Sequence, residues 1–381
     1  MRIFLLSIFF LSFFLFTCCI QREGKLQGKN INYPKESPVK NITLIKENGG
    51  SPAWSPGNNE FIVYHSRGED GYFDIHIMKS DGSEDKNLTD NHPLLPGRHM
   101  GEPIWHPSGK WILFKAEKKE HVLEDIGSLA VPAIGFHNDI WIMSPDGEKV
   151  YQLTDLKTKM YIGDFTSISG VLNPHFSDDG KKISWSERIG DEGKWGKWVI
   201  RAGDFEIKEN LPEIRNIKTF APGENQEYFE SNDFMPDGKL LICGNLEQGQ
   251  TVFGIDIYIL DMESKKTFQL TDSLNVFDEC PHVSPDGQKI AYLSTEGYTV
   301  KENDPLWWNW SRGEIWFMNS DGSKKEQITH FNTSSYPEYT GTRVIPGKIA
   351  WDSSGKRLLI GVGVEKKFKK MLDNLYLIEL K

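Results

Sequence analysis

The chain has 381 residues, of which 38% are hydrophobic and 26% are charged, and its formal net charge is -10 at pH 7. This balance is typical of a folded globular protein rather than a disordered or membrane-embedded one. The negative charge argues against nucleic acid as a partner, because phosphate binding requires a basic surface.

The chain begins with an apolar segment typical of a secretory signal. A single positive charge at Arg2 precedes an apolar run over residues 3–17, which is too short to cross a membrane comfortably. An uncleaved anchor helix is the alternative, and the polar sequence from Gln21 onward disfavours it. We therefore predict that the protein is exported.

The end of this segment resembles a bacterial lipobox. Residues 15–18 are Leu-Phe-Thr-Cys, and the resemblance implies that the Cys18 thiol receives diacylglycerol, with Cys19 as the alternative acceptor. We predict a lipoprotein signal peptide at 1–18 and a flexible tether at 19–40, which is polar and contains glycine and proline. The protein would be lipid-anchored in the bacterial cell envelope, facing the periplasm or the cell surface.

Six copies of one sequence unit follow. The first half of each copy holds a strand-length segment and a turn, at residues 52–59, 103–110, 174–181, 232–239, 281–288 and 349–356. The second half, at 74–90, 139–155, 256–272 and 314–329, carries an Asp-Ile or Glu-Ile strand and ends on Leu-Thr or Ile-Thr. The third copy is degenerate there, with residues 197–200 in the equivalent place. Glycine supplies the positive φ of the turns, and aspartate caps the turn backbone.

The repeat predicts an all-β fold, a six-bladed β-propeller of four-stranded blades spanning residues 41–381. A lone four-stranded sheet cannot bury both faces, and radial stacking solves this. Large side chains would fill the gaps between blades: Trp54, Trp105, Phe176, Phe234 and Trp351. A β-sandwich, the alternative, requires no internal repeat. The sixth copy lacks an outer strand, so we predict that residues 41–44 complete it and seal the ring.

These segments resemble the TolB-type propeller repeat, whose consensus runs Pro-x-Trp-Ser-Pro-Asp-Gly-Lys, then Asp-Ile-Tyr-x-Met, then Asp-Gly and Leu-Thr. The resemblance implies the fold but not one function, since similar propellers occur in assembly factors, peptidases and polysaccharide lyases. TolB carries an α/β domain ahead of its propeller, which the short tether cannot supply, so a Tol–Pal role is in doubt. The sequence has no Gly-x-Ser-x-Gly motif, which disfavours prolyl-oligopeptidase chemistry.

Long insertions predict the functional face. They fall at 117–138, 156–171, 295–313 and 331–347, in connections that open on one end of the ring, and long loops in compact folds are usually functional. The aromatic cluster Trp307, Trp308 and Trp310 lies in the third insertion and suits sugar stacking or protein docking. The alternative is that these rings fold down as a cap over the blades.

A polar column predicts a second candidate site. The position before the large blade residue is polar in the third, fourth and fifth copies, and acidic residues lie near the mouths of the inner strands. The candidate ligand-facing residues are His175, Asp233, His282, Glu102, Glu230 and Glu279. They could bind a divalent metal, with His175 and His282 as ligands, or act as acid and base. The spacing matches no known ligand motif, which favours the alternative of hydrogen-bonded polar residues packed between blades.

The first functional hypothesis is a monomeric, non-enzymatic lipoprotein of the cell envelope that binds a protein or glycan on its loop-rich face. The second is an envelope carbohydrate-active enzyme, a lyase or hydrolase, that uses a histidine and aspartate site on the same face. The third is a structural subunit of an outer-membrane assembly complex. No cofactor is predicted beyond the divalent metal of the second hypothesis.

Overall fold

The computed structural model describes residues 33–119, 129–157, 169–190, 195–209, 211–223, 228–299, 311–366 and 371–381. These residues form 24 β-strands in six antiparallel sheets of four strands each. None of them belongs to a helix long and apolar enough to cross a membrane.

Each sheet is one blade, and in blades one to five the chain runs from the innermost strand outward. Blade one contains β2 (Gly50–Trp54), β3 (Phe61–Arg67), β4 (Phe73–Lys79) and β5 (Lys86–Asn87). Blade two contains β6 (Met100–Trp105), β7 (Ile112–Glu117), β8 (Asn138–Met143) and β9 (Val150–Gln152). Blade three contains β10 (Gly170–Phe176), β11 (Lys182–Gly190), β12 (Lys197–Lys208) and β13 (Leu211–Phe220).

The remaining blades follow the same order. Blade four contains β14 (Phe229–Phe234), β15 (Leu240–Gly244), β16 (Asp256–Leu260) and β17 (Thr267–Gln269). Blade five contains β18 (Asp278–Val283), β19 (Lys289–Ser294), β20 (Glu314–Asn319) and β21 (Glu326–Gln327). Blade six contains β22 (Val344–Trp351), β23 (Arg357–Glu365), β24 (Met371–Leu380) and β1 (Val39–Glu47). Innermost strands of successive blades contact one another, and β22 contacts β2, so the blades form a closed ring.

The Leu-Thr ending of the repeat has a structural role. In blade four, the Thr271 hydroxyl donates to the Asp256 carboxylate at 2.9 Å and accepts a hydrogen bond from the Ile257 amide at 2.9 Å. Blades one, two and five contain the same arrangement. Because the threonine and the acid lie on neighbouring segments, this pair fixes the outer edge of the blade. The Asp-Ile and Leu-Thr signatures are therefore two halves of one contact.

The gaps between blades hold the hydrophobic core. Trp54, Trp105, Phe176 and Phe234 are buried, as the repeat predicts, each within an apolar cluster. Trp351 is partly buried and stacks on the Phe317 ring at a centroid distance of 5.2 Å. These contacts confirm that large residues join neighbouring blades.

The ring is sealed by the strand that precedes the first repeat. Strand β1 pairs antiparallel with β24, from Val39 opposite Leu380 to Glu47 opposite Asn374. This confirms the predicted closure, although β1 begins two residues before the predicted domain boundary. The described end of the predicted tether lies against the propeller, since the Tyr33 hydroxyl donates to Glu338 at 3.0 Å.

Blade three departs from the other repeats, as its degenerate sequence suggested. Strands β12 and β13 span 12 and 10 residues, far longer than the corresponding outer strands β8 and β9 of blade two. Their outer ends carry the exposed side chains of Ile207, Leu211 and Ile217. A bulge between Ala202 and Asp204 interrupts the pairing of this hairpin.

Candidate functional site

All six innermost strands contain a bulge at an equivalent position. The register of each one shifts against the next strand of its blade, for example between Gly101 and Ile104 and between Leu172 and His175. Four of the bulges place a non-glycine residue at positive φ: Ser51, Glu102, Asn173 and Cys280. A bulge breaks the two-residue alternation of a strand, so consecutive residues can face the same side.

These strands surround a narrow axial cavity of about 20 Å³. Its lining residues are Ser51, Pro52, Glu102, Pro103, Ile104, Asn173, Pro174, His175, His282, Lys348 and Ile349. Blades two and three each contribute three consecutive residues, as the bulges require. Two groups of polar residues meet at the axis. We call Glu102, Lys115, Asn173, Glu230, Glu279 and Lys348 the charged layer, and His175, Asp233 and His282 the histidine layer.

The charged layer is a connected network. Lys115 Nζ lies 3.0 Å from Glu102 Oε2, and Glu102 Oε2 also accepts a 3.1 Å hydrogen bond from the Asn173 amide. The Asn173 side chain donates to Glu230 Oε2 at 2.5 Å and accepts a hydrogen bond from Lys348 Nζ. Side chains from four blades thus meet around Asn173.

Burial and the neighbouring charges shift the pKa values of this layer in opposite directions. Burial raises the pKa of Glu102, but Lys115 and Lys348 reverse this and hold it below its usual value. Burial lowers the pKa of Lys348, whereas the charges of Glu102 and the neighbouring acids raise it above its usual value. Burial lowers the pKa of Lys115 against the attraction of Glu102. Lys115 and Glu102 form an ion pair, since the charged atoms are 3.0 Å apart and the lowered pKa of Glu102 favours its ionised form.

Two acids of the charged layer have raised pKa values. Burial raises the pKa of Glu230 above its usual value despite the charge of Lys348. Burial and the charge of Glu230 raise the pKa of Glu279 to about 8. The layer therefore combines two lysines with one carboxyl whose pKa is lowered and two carboxyls whose pKa values are raised.

The histidine layer joins three consecutive blades. One ligand atom from each of His175, Asp233 and His282 lies within 4.8 Å of the others. His282 Nδ1 is 3.4 Å from Asp233 Oδ2, and the two imidazole ring centroids are 5.1 Å apart. Backbone amides orient the carboxylate, with Phe234 donating to Oδ1 at 2.8 Å and Val283 donating to Oδ2 at 3.1 Å. The predicted convergence of these three residues is therefore present.

The protonation states of this layer suit ligation. Burial and the charge of His282 lower the pKa of His175 to about 3, so its imidazole is neutral. Burial raises the pKa of Asp233, but the hydrogen bond and charge of His282 outweigh this, and the net direction is downward. Among the described residues, Nδ1 of His175 is buried without a hydrogen-bond partner. A neutral imidazole and an ionised carboxylate are the forms that bind metals.

The structure corrects where this layer lies. His175, Asp233 and His282 are each the penultimate residue of their strands, β10, β14 and β18, next to the short turns. The long insertions enter at the other end, where Glu102, Glu230 and Glu279 lie early in their strands. Placement of the histidine and aspartate site on the loop-rich face was wrong, because the chain runs from that face to the opposite one along each innermost strand.

Other candidates have separate outcomes. Trp307, Trp308 and Trp310, like the lipidation candidates Cys18 and Cys19, lie outside the described residues. The sequence interpretation missed Lys348, Asn173 and Lys115, although the first two directly precede the aligned 349–356 and 174–181 segments. Cys243 and Cys280 are free buried thiols.

No protein-family model matches the chain, and no curated protein matches it. Similar solved structures include a TolB-type protein from Agrobacterium tumefaciens, at 18% identity over 74% of this chain and 81% of that chain, with a TM-score of 0.47. An oligogalacturonate lyase in complex with manganese shows 10% identity over 91% of this chain and 94% of that chain, with a TM-score of 0.48. An acylaminoacyl peptidase shows 14% identity over 87% of this chain and 44% of that chain, with a TM-score of 0.47. The six four-stranded blades confirm the predicted TolB-like propeller fold.

Proposed function

We propose that the protein is an exported lipoprotein of the bacterial cell envelope whose propeller is a monomeric binding scaffold. Its partner, a protein or a glycan, would dock on the loop-rich end of the ring. The signal sequence and lipobox resemblance support the location, and the gathering of long insertions at one end supports the docking face.

One observation carries the choice of a scaffold over an enzyme. At the loop-rich end of the axis, the charged groups bind one another: Lys115 pairs with Glu102, while Asn173 links Glu102, Glu230 and Lys348. Groups that neutralise each other in a buried network hold neighbouring blades in register and are poorly available to a substrate. This end of the ring therefore suits recognition by surface contact better than acid–base chemistry.

The insertions also pack against one another. Residues from the blade-two insertion bond to the connection that leads into blade three: the Val171 amide donates to Gly135 at 2.9 Å, and the His137 amide donates to Ser169 at 2.7 Å. The Arg188 guanidinium lies 4.5 Å from the centroid of the Phe136 ring. These contacts hold the described part of the blade-two insertion against the start of blade three, so this part of the loop-rich end is preorganised for docking.

Site-specific photo-crosslinking in cells tests the docking face. A benzoylphenylalanine at Tyr339, which is 39% exposed in the connection before blade six, should give a discrete adduct. The matched control is the same probe at Phe268, which is 52% exposed on the outer strand of blade four. Protease treatment of the adduct separates a protein partner from a glycan. No adduct at Tyr339, or the same adducts at both positions, contradicts the proposal.

Metabolic lipid labelling tests the location. Palmitate should label the wild-type chain and the Cys19→Ser variant, and Cys18→Ser should abolish the label. Retention of the label in Cys18→Ser with loss in Cys19→Ser identifies the other acceptor. An unlabelled wild-type chain removes the anchor from the proposal.

A second candidate function is a carbohydrate-active envelope enzyme. The histidine layer favours it, because a neutral imidazole beside an ionised carboxylate can take a proton from a substrate. Uronate oligosaccharides provide the screen, with lyase products detected by the absorbance of their new double bond and hydrolase products by reducing ends. Activity that disappears in His175→Gln supports the enzyme. No turnover by wild-type protein, with or without added divalent metal, rejects it for this substrate class.

A further inference from the structure

We propose that His175, Asp233 and His282 bind one divalent transition-metal ion at the short-turn end of the axial channel. The ion would tie together blades three, four and five. This inference goes beyond the docking role, because it concerns the opposite end of the ring and holds whether or not a partner binds.

The spacing of the three side chains carries the proposal. Ligands about 2.1 Å from a tetrahedral Zn²⁺ lie roughly 3.4 Å apart. His282 Nδ1 and Asp233 Oδ2 already lie 3.4 Å apart. The ligand atom of His175 is within 4.8 Å of both, so a side-chain rotation that moves it inward by at most about 1.4 Å completes the set.

A hydrogen-bonded packing explanation accounts for only part of the layer. It explains Asp233, whose oxygens accept from two backbone amides, and it explains the contact of Asp233 with His282. It does not satisfy Nδ1 of His175, which is buried with no hydrogen-bond partner in the described part of the chain, although the Asn173 backbone contacts the same side chain. An unsatisfied buried nitrogen is costly, and a metal ion would satisfy it.

The surroundings prepare the carboxylate for ligation. Ligating carboxylates in proteins are themselves held by hydrogen bonds, as Asp233 is by the amides of Phe234 and Val283. The turn after β10 adds the exposed carboxylate of Asp178, whose charge reaches Asp233. Lys348 is the nearby cation, and its charge is balanced by the acids of the charged layer. The carboxylates of Asp233 and Asp178 therefore place negative charge beside the two imidazoles, against the positive charge of Lys348.

The donor set selects the class of ion. Two imidazoles and one carboxylate suit Zn²⁺, Co²⁺, Mn²⁺ or Fe²⁺, whereas Ca²⁺ and Mg²⁺ prefer oxygen ligands alone. Three protein ligands leave at least one position for water or for Asp178. We therefore expect the transition metals to bind at least tenfold more tightly than Ca²⁺.

Calorimetric titration of the full-length protein, after dialysis against EDTA, tests the site. Zn²⁺ should bind with a stoichiometry of one per chain, and His175→Gln and Asp233→Asn should each weaken it at least tenfold. The matched control is His76→Gln, because His76 Nδ1 lies 3.2 Å from Asp85 in blade one without a second histidine. This variant should bind as the wild type does.

A second measurement requires no substitution. Co²⁺ bound to nitrogen and oxygen ligands at a four-coordinate site gives visible d–d bands, so Co²⁺-loaded wild-type protein should absorb and Zn²⁺ should remove the bands. Absence of a one-to-one site for Zn²⁺ overturns the proposal, and so does unchanged binding in folded cluster variants. If those variants fail to fold, lack of the Co²⁺ bands in the wild type overturns it.

Discussion

Replacing Glu279 with glutamine should stabilise the protein at high pH and change little near pH 5. Burial and the neighbouring charge of Glu230 raise the pKa of Glu279 from 4.5 to about 8 in the folded protein. Between these values the folded state holds a proton that the unfolded state has released, so wild-type stability falls as the pH rises through this window. Glutamine does not ionise, so the stability of the Glu279→Gln variant should not fall with pH in this way.

The structure sets the size of the effect. At about 1.4 kcal/mol per pKa unit, the raised pKa lowers the stability of the wild-type protein by at most ~5 kcal/mol at pH 8.5. Glu279 keeps partial exposure, which weakens the penalty, and a glutamine amide must also be desolvated. We expect the free energy of unfolding of Glu279→Gln to exceed that of wild type by about 2 kcal/mol at pH 8.5.

Urea unfolding followed by tryptophan fluorescence at pH 5 and pH 8.5 measures the difference. The matched control is Glu263→Gln, which removes an exposed acid from the turn between β16 and β17 and should leave stability within ~0.5 kcal/mol at both pH values. If Glu279→Gln raises the free energy of unfolding equally at pH 5 and pH 8.5, the electrostatic reasoning is refuted. A loss of stability at pH 8.5 would mean that the ionised carboxylate binds Lys348 strongly enough to offset its burial.

Three further changes test the fold. Deleting residues 39–47 should lower the melting temperature by roughly 10 °C or more, because β24 loses its outer partner, and an unchanged value would exclude the closure. Thr271→Val should cost about 1–3 kcal/mol in chemical unfolding, since it leaves Asp256 with an unmet hydrogen bond, whereas Thr271→Ser should cost less than half as much. Gly254→Ala should reduce the yield of folded protein measured by circular dichroism, because its Cβ would lie 1.9 Å from the Leu274 carbonyl oxygen; wild-type yield and stability would show that this loop adjusts.

The fold was predictable because one pattern recurs six times. A turn glycine at positive φ recurs in all six blades, the acid–threonine pair recurs in blades one, two, four and five, and a large residue lies between blades in five of the copies. Closure was predictable too, because residues 41–44 form a strand outside the six copies and the sixth copy provides no outer neighbour for residues 375–378. The exact start of β1 was not, since pairing of Val39 with Leu380 depends on a bulge that the sequence does not signal.

The site was predictable only in part. The column of His175, Asp233 and His282 converges because each occupies the same strand position in consecutive blades. Lys348 and Asn173 were missed because strict alternation places only every second residue on the channel side, and the bulges overrule that alternation. The residue before each aligned 52–59-type segment carried the signal, since it is Glu102, Asn173 or Lys348 in three of the copies.

Sealing the ring with β1 has a consequence for the order of folding. The two partners, Val39–Glu47 and Met371–Leu380, lie at opposite ends of the described chain. During synthesis β1 emerges before the other described strands and has no sheet partner until β24 has been made. Such long-range pairing is slow, and an open edge can join a neighbouring chain. A growing chain would therefore benefit from a chaperone that shields this edge, and truncated chains should aggregate more readily than complete ones.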